Sequence, residues 1–316
     1  MYKSFVSVII PNYNHARYLP ERIESVLEQT YTNFEVIILD DWSTDNSREV
    51  IEQYRTNPHV SQIVYNEENS GRVFKQWKKG LGLAKGDLLW IAESDDKCEP
   101  TFLERLVQCF IDHPTLSLAF SKSLLFDDAG KTWTMDTEGL SEGVYTSRDF
   151  ISRFMSHGCP MLNASACVFS KAAFEKIDDR YTEFRCSGDR MFWTLIAEHG
   201  DIAVIDERLN YYRKHLNNVT KSGYEQGINQ REQKAILDYI LQREYIDEKE
   251  YRSIRYHIMR YGVFELLQDE ALKQVIYRYW DFGLWEQLLL RLNIFTENMT
   301  AKFRRKLKCD KQQNNS

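Results

Sequence analysis

The sequence lacks several things, and each absence narrows what the chain can be. Its six cysteines, Cys98, Cys109, Cys159, Cys167, Cys186 and Cys309, include no Cys-x-x-Cys pair and no metal-finger spacing. Free thiols in a reducing compartment are the simplest account of them. No apolar run approaches the ~18 residues that would span a bilayer. The opening residues, MYKSFVSVIIPNYN, pass straight into a strand-like pattern without a charged leader, a long apolar stretch and a cleavage site. An excess of positive charge is missing as well: the formal net charge is −6, which gives no support to nucleic acid as a partner. Internal repeats and low-complexity linkers are absent. Together these predict a cytoplasmic chain, either soluble or peripheral on the inner face of a membrane.

What is present is a globular composition. The 316 residues are 43% hydrophobic and 13% aromatic, enough for one large domain or two smaller ones with a sizeable core. Charge is unevenly spread: residues 301–316 hold six Lys/Arg against one Asp, so the remainder is more acidic than the total suggests.

The stretch Asp87-Leu88-Leu89-Trp90-Ile91-Ala92-Glu93-Ser94-Asp95-Asp96 organises the rest. A short unbroken apolar run suits a strand buried on both faces of a parallel sheet. It stops at three closely spaced carboxylates, at the strand end where open α/β sheets hold their ligands. Two readings stay open on this stretch alone. One is a hard divalent cation bridged to substrate phosphates. The other is a solvated acidic turn.

Before it, the pattern predicts strands at Phe5 to Ile10 (stopped by Pro11), Phe34 to Leu39 and Val60 to Tyr65. Helices are expected at Pro20 to Gln29, Ser47 to Tyr54 and Val73 to Ala84. This β-α alternation with short connections argues for a parallel sheet with helices on both sides. Three polar strand ends, Asn12–Asn14, Asp40–Asp41 and Glu93–Asp96, would meet along one rim. Beyond the rim, a helix is expected at Pro100 to His113, a strand at Leu116 to Phe120 and an irregular, partly hairpin insertion over 121–146. A short helix at Ser147 to Met155, a strand at Ser165 to Phe169 and another short helix at Lys171 to Lys176 follow. Ser187 should cap a helix reaching His199, with Asp189 in its first turn, where the helix dipole favours a carboxylate. Ile202 to Ile205 and Arg208 to Tyr212 read as two closing strands. From about Glu225 helical periodicity dominates, giving three or four helices that end near Asn293 and a frayed basic tail.

Four segments, VSVIIPNYNHARYL (6–19), SVLEQTYTNFEVIILDDWSTDNS (25–47), NSGRVFKQWKKGLGLAKGDLLWIAESDD (69–96) and SGDRMFWTL (187–195), resemble in order and spacing the family 2 glycosyltransferases. That resemblance implies an α/β GT-A fold: a Rossmann-like, mostly parallel central sheet flanked by helices. Residues 1–222 would form the catalytic domain, 223–300 a C-terminal helical extension and 301–316 a basic, polar tail. It also implies a nucleotide-sugar donor, a divalent metal (Mn²⁺ or Mg²⁺) and single-displacement transfer with inversion.

Residue by residue, the resemblance implies that Asp96 ligates the metal and Asp95 holds the ribose or sugar of the donor. The family's usual Asp-x-Asp-Asp is Glu93-Ser94-Asp95-Asp96 here, which leaves the role of Glu93 open. Asp41 would accept from the base N–H, with uracil the expected base. Pro11, Tyr13 and Asn14 would wall the base, and core packing is the alternative for Tyr13. Asp40 is expected to serve sheet-end structure. Arg72, in the Gly71 loop, would meet the base or the phosphates, against a solvated surface position. Asp189 would be the general base; the family's preceding acid is replaced by Gly188. His215, in the segment Tyr212-Arg213-Lys214-His215, would ligate the metal or meet the diphosphate, against plain surface. Trp90 and Trp193 are expected in the core.

In the C-terminal region, Leu284, Leu288, Leu289, Leu290 and Leu292, followed by Arg304, Arg305, Lys306 and Lys308, raise two readings. One is an amphipathic edge on anionic lipid, suited to a lipid-linked acceptor in cell-surface polysaccharide assembly. The other is a helical cap or homo-oligomer contact with a solvated tail. Two functions compete with glycosyl transfer to a glycan or lipid-linked hydroxyl. A nucleotidyltransferase would carry a Gly-rich basic loop after the first strand, where this chain has Pro11-Asn12-Tyr13-Asn14-His15. A sugar-nucleotide or glycan-binding module without turnover would not need the acids at 95, 96 and 189.

Overall fold

The computed structural model of the chain describes residues 4–214, 223 and 225–313, with the backbone alone at 298 and over 301–313. Its first part alternates as the sequence predicts: β1 (Val6–Asn12), α1 (Leu19–Leu27), β2 (Phe34–Asp40), α2 (Ser47–Glu52), β3 (Val60–Tyr65), α3 (Val73–Leu83) and β4 (Leu88–Ile91). A two-residue β5 (Lys97–Cys98), α4 (Phe102–Asp112) and the long β6 (Leu116–Asp127) follow. Then come β7 (Thr132–Trp133), β8 (Gly143–Tyr145), α5 (Ser147–Phe150, continued as a π-helix over Ile151–Met155), β9 (Cys167–Ser170) and α6 (Lys171–Phe174). The core unit closes with α7 (Gly188–Ala197) and β10 (Asp201–Lys214).

The sheet runs β3-β2-β1-β4-β9-β6-β10-β5. Strands β1 to β4 are parallel to one another, β9 is antiparallel to both of its neighbours, and β6 and β10 are again parallel. This is the mostly parallel sheet expected. Its strands bury alternate residues on opposite sides. Val6, Val8 and Ile10 join one cluster with Leu19, Ile23, Leu103 and Leu106 of α1 and α4. Ile9 faces the other cluster, with Phe74 and Trp77 of α3 and Phe192 and Trp193 of α7. Trp90 and Trp193 are both buried.

The helical extension comprises α8 (Ile228–Gln242), α9 (Glu248–His257, continued as a π-helix over Ile258–Glu265), α10 (Glu270–Tyr279) and α11 (Leu284–Gln313). Ile236, Leu237, Ile240 and Ile276 join the α3/α7 cluster, so these helices cover that side of the sheet.

Several boundaries differ from the sequence reading for identifiable reasons. Pro11 does not stop β1. Ile9 presents its carbonyl to Ala92 on the β4 side, so Pro11, two residues on, turns its missing N–H to that side too. The pairing with β4 ends at Ile9, so no ladder bond is lost there. Strand β6 continues past Phe120 to Asp127 before the expected turn, and β7 folds back on Leu125 and Phe126. The two closing strands are one strand, β10, whose register shifts between Ile205 and Asn210. The polar residues Asp206 and Glu207 sit at that bulge, and they made it read as a break. Helix α11 does not end near Asn293; its backbone runs to Gln313, through the segment expected to fray.

Candidate active site

At the C-terminal end of β1, Asn14 adopts a left-handed conformation (φ 55°). Its Oδ1 accepts from the Thr44 N–H at 2.7 Å, and its own N–H donates to Ser43 Oγ at 2.9 Å. The loops after β1 and β2 are thereby sewn together. Asp40 completes the seam: its carboxylate accepts from Asn12 Nδ2 at 2.8 Å, Ser43 Oγ at 2.6 Å and the Ser43 N–H at 3.1 Å. Asp40 therefore has the sheet-end role expected for it. Pro11 is buried beneath this seam, and Tyr13 projects from it at 48% exposure, so core packing does not apply to Tyr13. Trp42 stands on the neighbouring loop, also exposed and at φ 64°, a conformation that costs a bulky side chain some strain.

Asp41 is buried and organises the next loop. Its Oδ1 accepts from Asn66 Nδ2 (2.6 Å), the Ser70 N–H (2.9 Å) and Gln76 Nε2 (2.8 Å); its Oδ2 accepts from Ser70 Oγ (2.7 Å). Among the described residues, one acceptor direction on Oδ2 is left for a further donor. Arg72 follows Gly71, whose φ of 70° makes the turn. Its guanidinium donates to the Glu183 carbonyl, tying the loop to the segment that leads into α7.

The end of β4 is the most heavily built part. Asp96 is 1% exposed. Its Oδ2 accepts from Asn163 Nδ2 and Ser165 Oγ, and its Oδ1 from the Arg213 N–H at 2.9 Å. Arg22, wholly buried on α1, places Nη2 3.9 Å from Asp96 Oδ2 and donates through Nε to the Glu93 carbonyl. Among the described residues, neither Nη of Arg22 has a hydrogen-bond partner. Burial, and then the nearby Asp95 carboxylate, raise the Asp96 pKa against the pull of Arg22. Glu93 accepts from Trp77 Nε1 at 2.8 Å; burial first and Asp95 second push its pKa up to about 8. The extra methylene relative to the family's aspartate lets Glu93 reach the indole of α3, which gives it a structural role.

Strand β10 supplies the opposite wall. Arg213, two residues before His215, is consumed by the protein. Its guanidinium meets Glu21 and Asp128, donates to the Asp95 carbonyl at 2.8 Å and lies over the Tyr18 and Phe126 rings. On either side of it stand Tyr212 and Lys214, to which the sequence reading gave no role. The Tyr212 hydroxyl lies in the field of Asp96, Asp95, Asp189 and Glu93 together; burial and these carboxylates raise its pKa. The Lys214 ammonium sits 3.8 Å from the Tyr212 ring centroid, and burial lowers its pKa while Asp96 and Asp95 oppose that. His215 lies outside the described residues.

Asp189 occupies the first turn of α7, as expected, and its Oδ1 accepts from the Arg190 N–H at 2.7 Å. Burial pushes its pKa up to about 6. Ser187, however, does not cap the helix with its side chain; its Oγ accepts from Asn229 Nδ2 at 3.0 Å. The open N–H groups before α7 are taken by Glu232 of α8, whose carboxylate accepts from Arg185 (2.6 Å), Cys186 (2.9 Å) and Ser187 (2.7 Å). Gly188 is forced by packing: a Cβ there would lie 2.5 Å from Phe74 Cε2 and 2.7 Å from the Tyr181 carbonyl oxygen. The acid that the family carries at this position cannot fit.

No group of three or more His, Cys, Asp or Glu side chains able to hold a metal forms among the described residues. The two adjacent carboxylates Asp95 and Asp96 are hard oxygen donors, which fits Mg²⁺ or Mn²⁺ bound through one or two carboxylates together with substrate phosphates. Among the described residues, three donors fill three of the four acceptor directions of Asp96, which fixes its orientation and leaves one.

A family model described as "Glycosyl transferase family 2" matches residues 7–178. An uncharacterized glycosyltransferase of Nostoc sp. is 31% identical over 217 residues, covering 66% of this chain and 65% of that protein. TuaG of Bacillus subtilis, named for teichuronic acid biosynthesis, is 38% identical over 120 residues, covering 38% of this chain and 46% of its own. The matched regions thus span less than two thirds of these relatives' lengths. Among solved structures, Staphylococcus aureus TarS 1–349 in complex with UDP-GlcNAc aligns with a TM-score of 0.64 at 21% identity, covering 89% of this chain and 77% of that one. A mannosyltransferase from Pyrobaculum calidifontis, in complex with GDP-Man and Mn²⁺, aligns at 0.57 and 16% identity, covering 93% and 81%. At these identities the likeness is one of fold, and the fold is the GT-A arrangement that the sequence resemblance implied.

Proposed function

The chain belongs to glycosyl transferase family 2, and from that premise we propose that it moves a sugar, with inversion, from a nucleotide sugar to a hydroxyl of a glycan or lipid-linked acceptor. The observation that carries the reading is the build of the β4 end: Asp96, almost wholly buried beside Asp95, is oriented by Asn163, Ser165 and the Arg213 N–H. Asp189, in the first turn of α7, supports the proton-acceptor part of the reading.

In the proposed step the acceptor oxygen bonds to the anomeric carbon from the face opposite the phosphate. The bond from that carbon to the phosphate oxygen breaks, and the nucleoside diphosphate leaves with the electron pair. Asp189 takes the acceptor's hydroxyl proton, acting as general base. Its raised pKa makes it a better base than an ordinary aspartate while leaving it ionised at neutral pH. Asp96, with Asp95 toward the ribose or sugar, would hold a divalent ion, and His215 keeps its expected role toward that ion or the diphosphate. Such an ion, when bound, supplies Lewis-acid neutralisation of the departing diphosphate. Lys214 adds a fixed positive charge on the same side. Asp41 would accept from the base N–H through its remaining Oδ2 direction, and Tyr13 would stack on the base, with Pro11 and Asn14 holding that wall.

UDP is the favoured nucleotide, and surface-polysaccharide assembly the favoured setting. The UDP-GlcNAc complex of the fold neighbour and the name of TuaG support these two assignments. Nucleotide release from UDP-, GDP- and dTDP-sugars with Mn²⁺ tests the proposal. Release from one donor, lost in Asp189→Asn, is expected. No release from any donor would favour a binding module without turnover, and release of pyrophosphate would favour a nucleotidyltransferase.

A further inference from the structure

Helix α11 has two apolar sides. Leu290 is wholly buried and Ile294 packs on the α3/α7 cluster. The same side is anchored by Glu286 to Arg255 and by Glu297 to Arg260. The other side carries Leu284 (82% exposed), Trp285 (76%), Leu288, Leu289, Leu292, Phe295 (62%) and Met299, all exposed. At about 3.6 residues per turn these seven fall within an arc of roughly 140°, centred opposite the buried face. Within that arc, between 284 and 299, the one polar residue is Thr296. A contiguous apolar stripe on the exposed side of a packed helix marks an interaction surface.

The sequence beyond the stripe indicates what it meets. The helix backbone continues to Gln313, and over 301–313 the chain carries Lys302, Arg304, Arg305, Lys306, Lys308 and Lys311 against Asp310 alone. The rest of the chain is acidic, so this segment is a local reversal of sign. An exposed apolar stripe with Trp and Phe, extended by a basic segment on one helix, has the chemistry of an interfacial helix on anionic lipid. Among the described residues no helix is long and apolar enough to cross a membrane, so the helix would lie on the surface rather than span it.

We propose that α11 docks the protein on an anionic membrane surface, with the Leu284–Met299 stripe entering the headgroup boundary and the following basic segment meeting the lipid charge. The inference does not depend on the catalytic assignments.

Flotation of the full chain with phosphatidylcholine vesicles, with and without phosphatidylglycerol, tests it. Binding is expected with the anionic vesicles, at least tenfold weaker with the neutral ones, and reduced when salt shortens the Debye length from ~10 to ~3 Å. Leu288→Asp with Leu292→Asp should abolish binding while the melting temperature stays unchanged, because both side chains are exposed. Arg304→Gln, Arg305→Gln and Lys306→Gln together should weaken it several-fold with the stripe intact. Failure to float with either vesicle, or flotation indifferent to these variants, would overturn the proposal. So would a lipid-free dimer that the Leu288/Leu292 pair of substitutions dissolves, because the stripe would then belong to a second copy.

Discussion

The carboxylate of Glu232 accepts the Ser187 N–H at 2.7 Å, joining the C-terminal helical extension to the entrance of the helix that bears Asp189. Two further N–H groups, of Arg185 and Cys186, share the same carboxylate. Glu232 thus satisfies the donors of the segment entering the helix, in a place where a side chain on residue 188 could not fit.

Replacing Glu232 by Gln should therefore disturb catalysis in two ways. Hydrogen bonds to a charged acceptor contribute about 1.5–3 kcal/mol each, so loosening this anchor should lower kcat by roughly tenfold. The Glu232 charge also raises the Asp189 pKa, so the acid limb of the pH–rate profile should move to lower pH. A drop in stability with an unmoved acid limb would contradict the electrostatic part.

Asp189→Asn should reduce kcat by roughly 10²–10⁴-fold with little change in donor KM, as loss of a general base does. In the unsubstituted enzyme, kcat/KM should fall as pH drops through about 6, because the carboxylate must be ionised to accept a proton. The linkage sign is opposite to that of a paired surface acid. Burial raises the folded-state pKa, so the favourable contribution is complete below the unfolded value of 3.8 and disappears as pH rises through about 6. Thermal melts should therefore find Asp189→Asn more stable than the parent at pH 7 to 8, and not at pH 4.

Gly188→Ala tests the packing argument. The added methyl meets Phe74 and the Tyr181 carbonyl, and overpacking of this kind costs about 1–3 kcal/mol. Denaturant titration should show that loss. Phe74→Leu in the same chain should recover part of it, by removing the ring edge nearest the new methyl.

Tyr13→Ala should weaken nucleotide binding by about 1–3 kcal/mol, the range for loss of an aromatic face under a base. Its hydroxyl is not needed for stacking, so Tyr13→Phe should bind as the parent does. Calorimetry with UDP separates these outcomes.

Much of this was legible in the sequence because it depends on local pattern. The apolar runs and polar ends of β1, β2 and β4 are contiguous, and they fix both the parallel half of the sheet and the rim. The placement of Asp189 in a helix's first turn is equally local. What escaped depends on distant pairs. The role of Glu232 appears only once α8 lies against residues 185–187. The consumption of Arg213 requires Glu21 and Asp128 to come together, and the burial of Arg22 beside Asp96 depends on how α1 crosses the sheet. Tyr212 and Lys214 lie in the segment read for His215, and the carboxylates around them come from distant parts of the chain. The bulge in β10 was read as a gap because polar residues interrupt its pattern without ending its pairing.

The account rests on rim carboxylates that hold a cation together with a diphosphate, and titration calorimetry of UDP in the presence and absence of Mn²⁺, on the parent and on Asp96→Asn, tests it most directly. Mn²⁺ should tighten UDP binding to the parent by at least tenfold and leave Asp96→Asn unaffected. Equal enhancement in both proteins, or none in the parent, would contradict it.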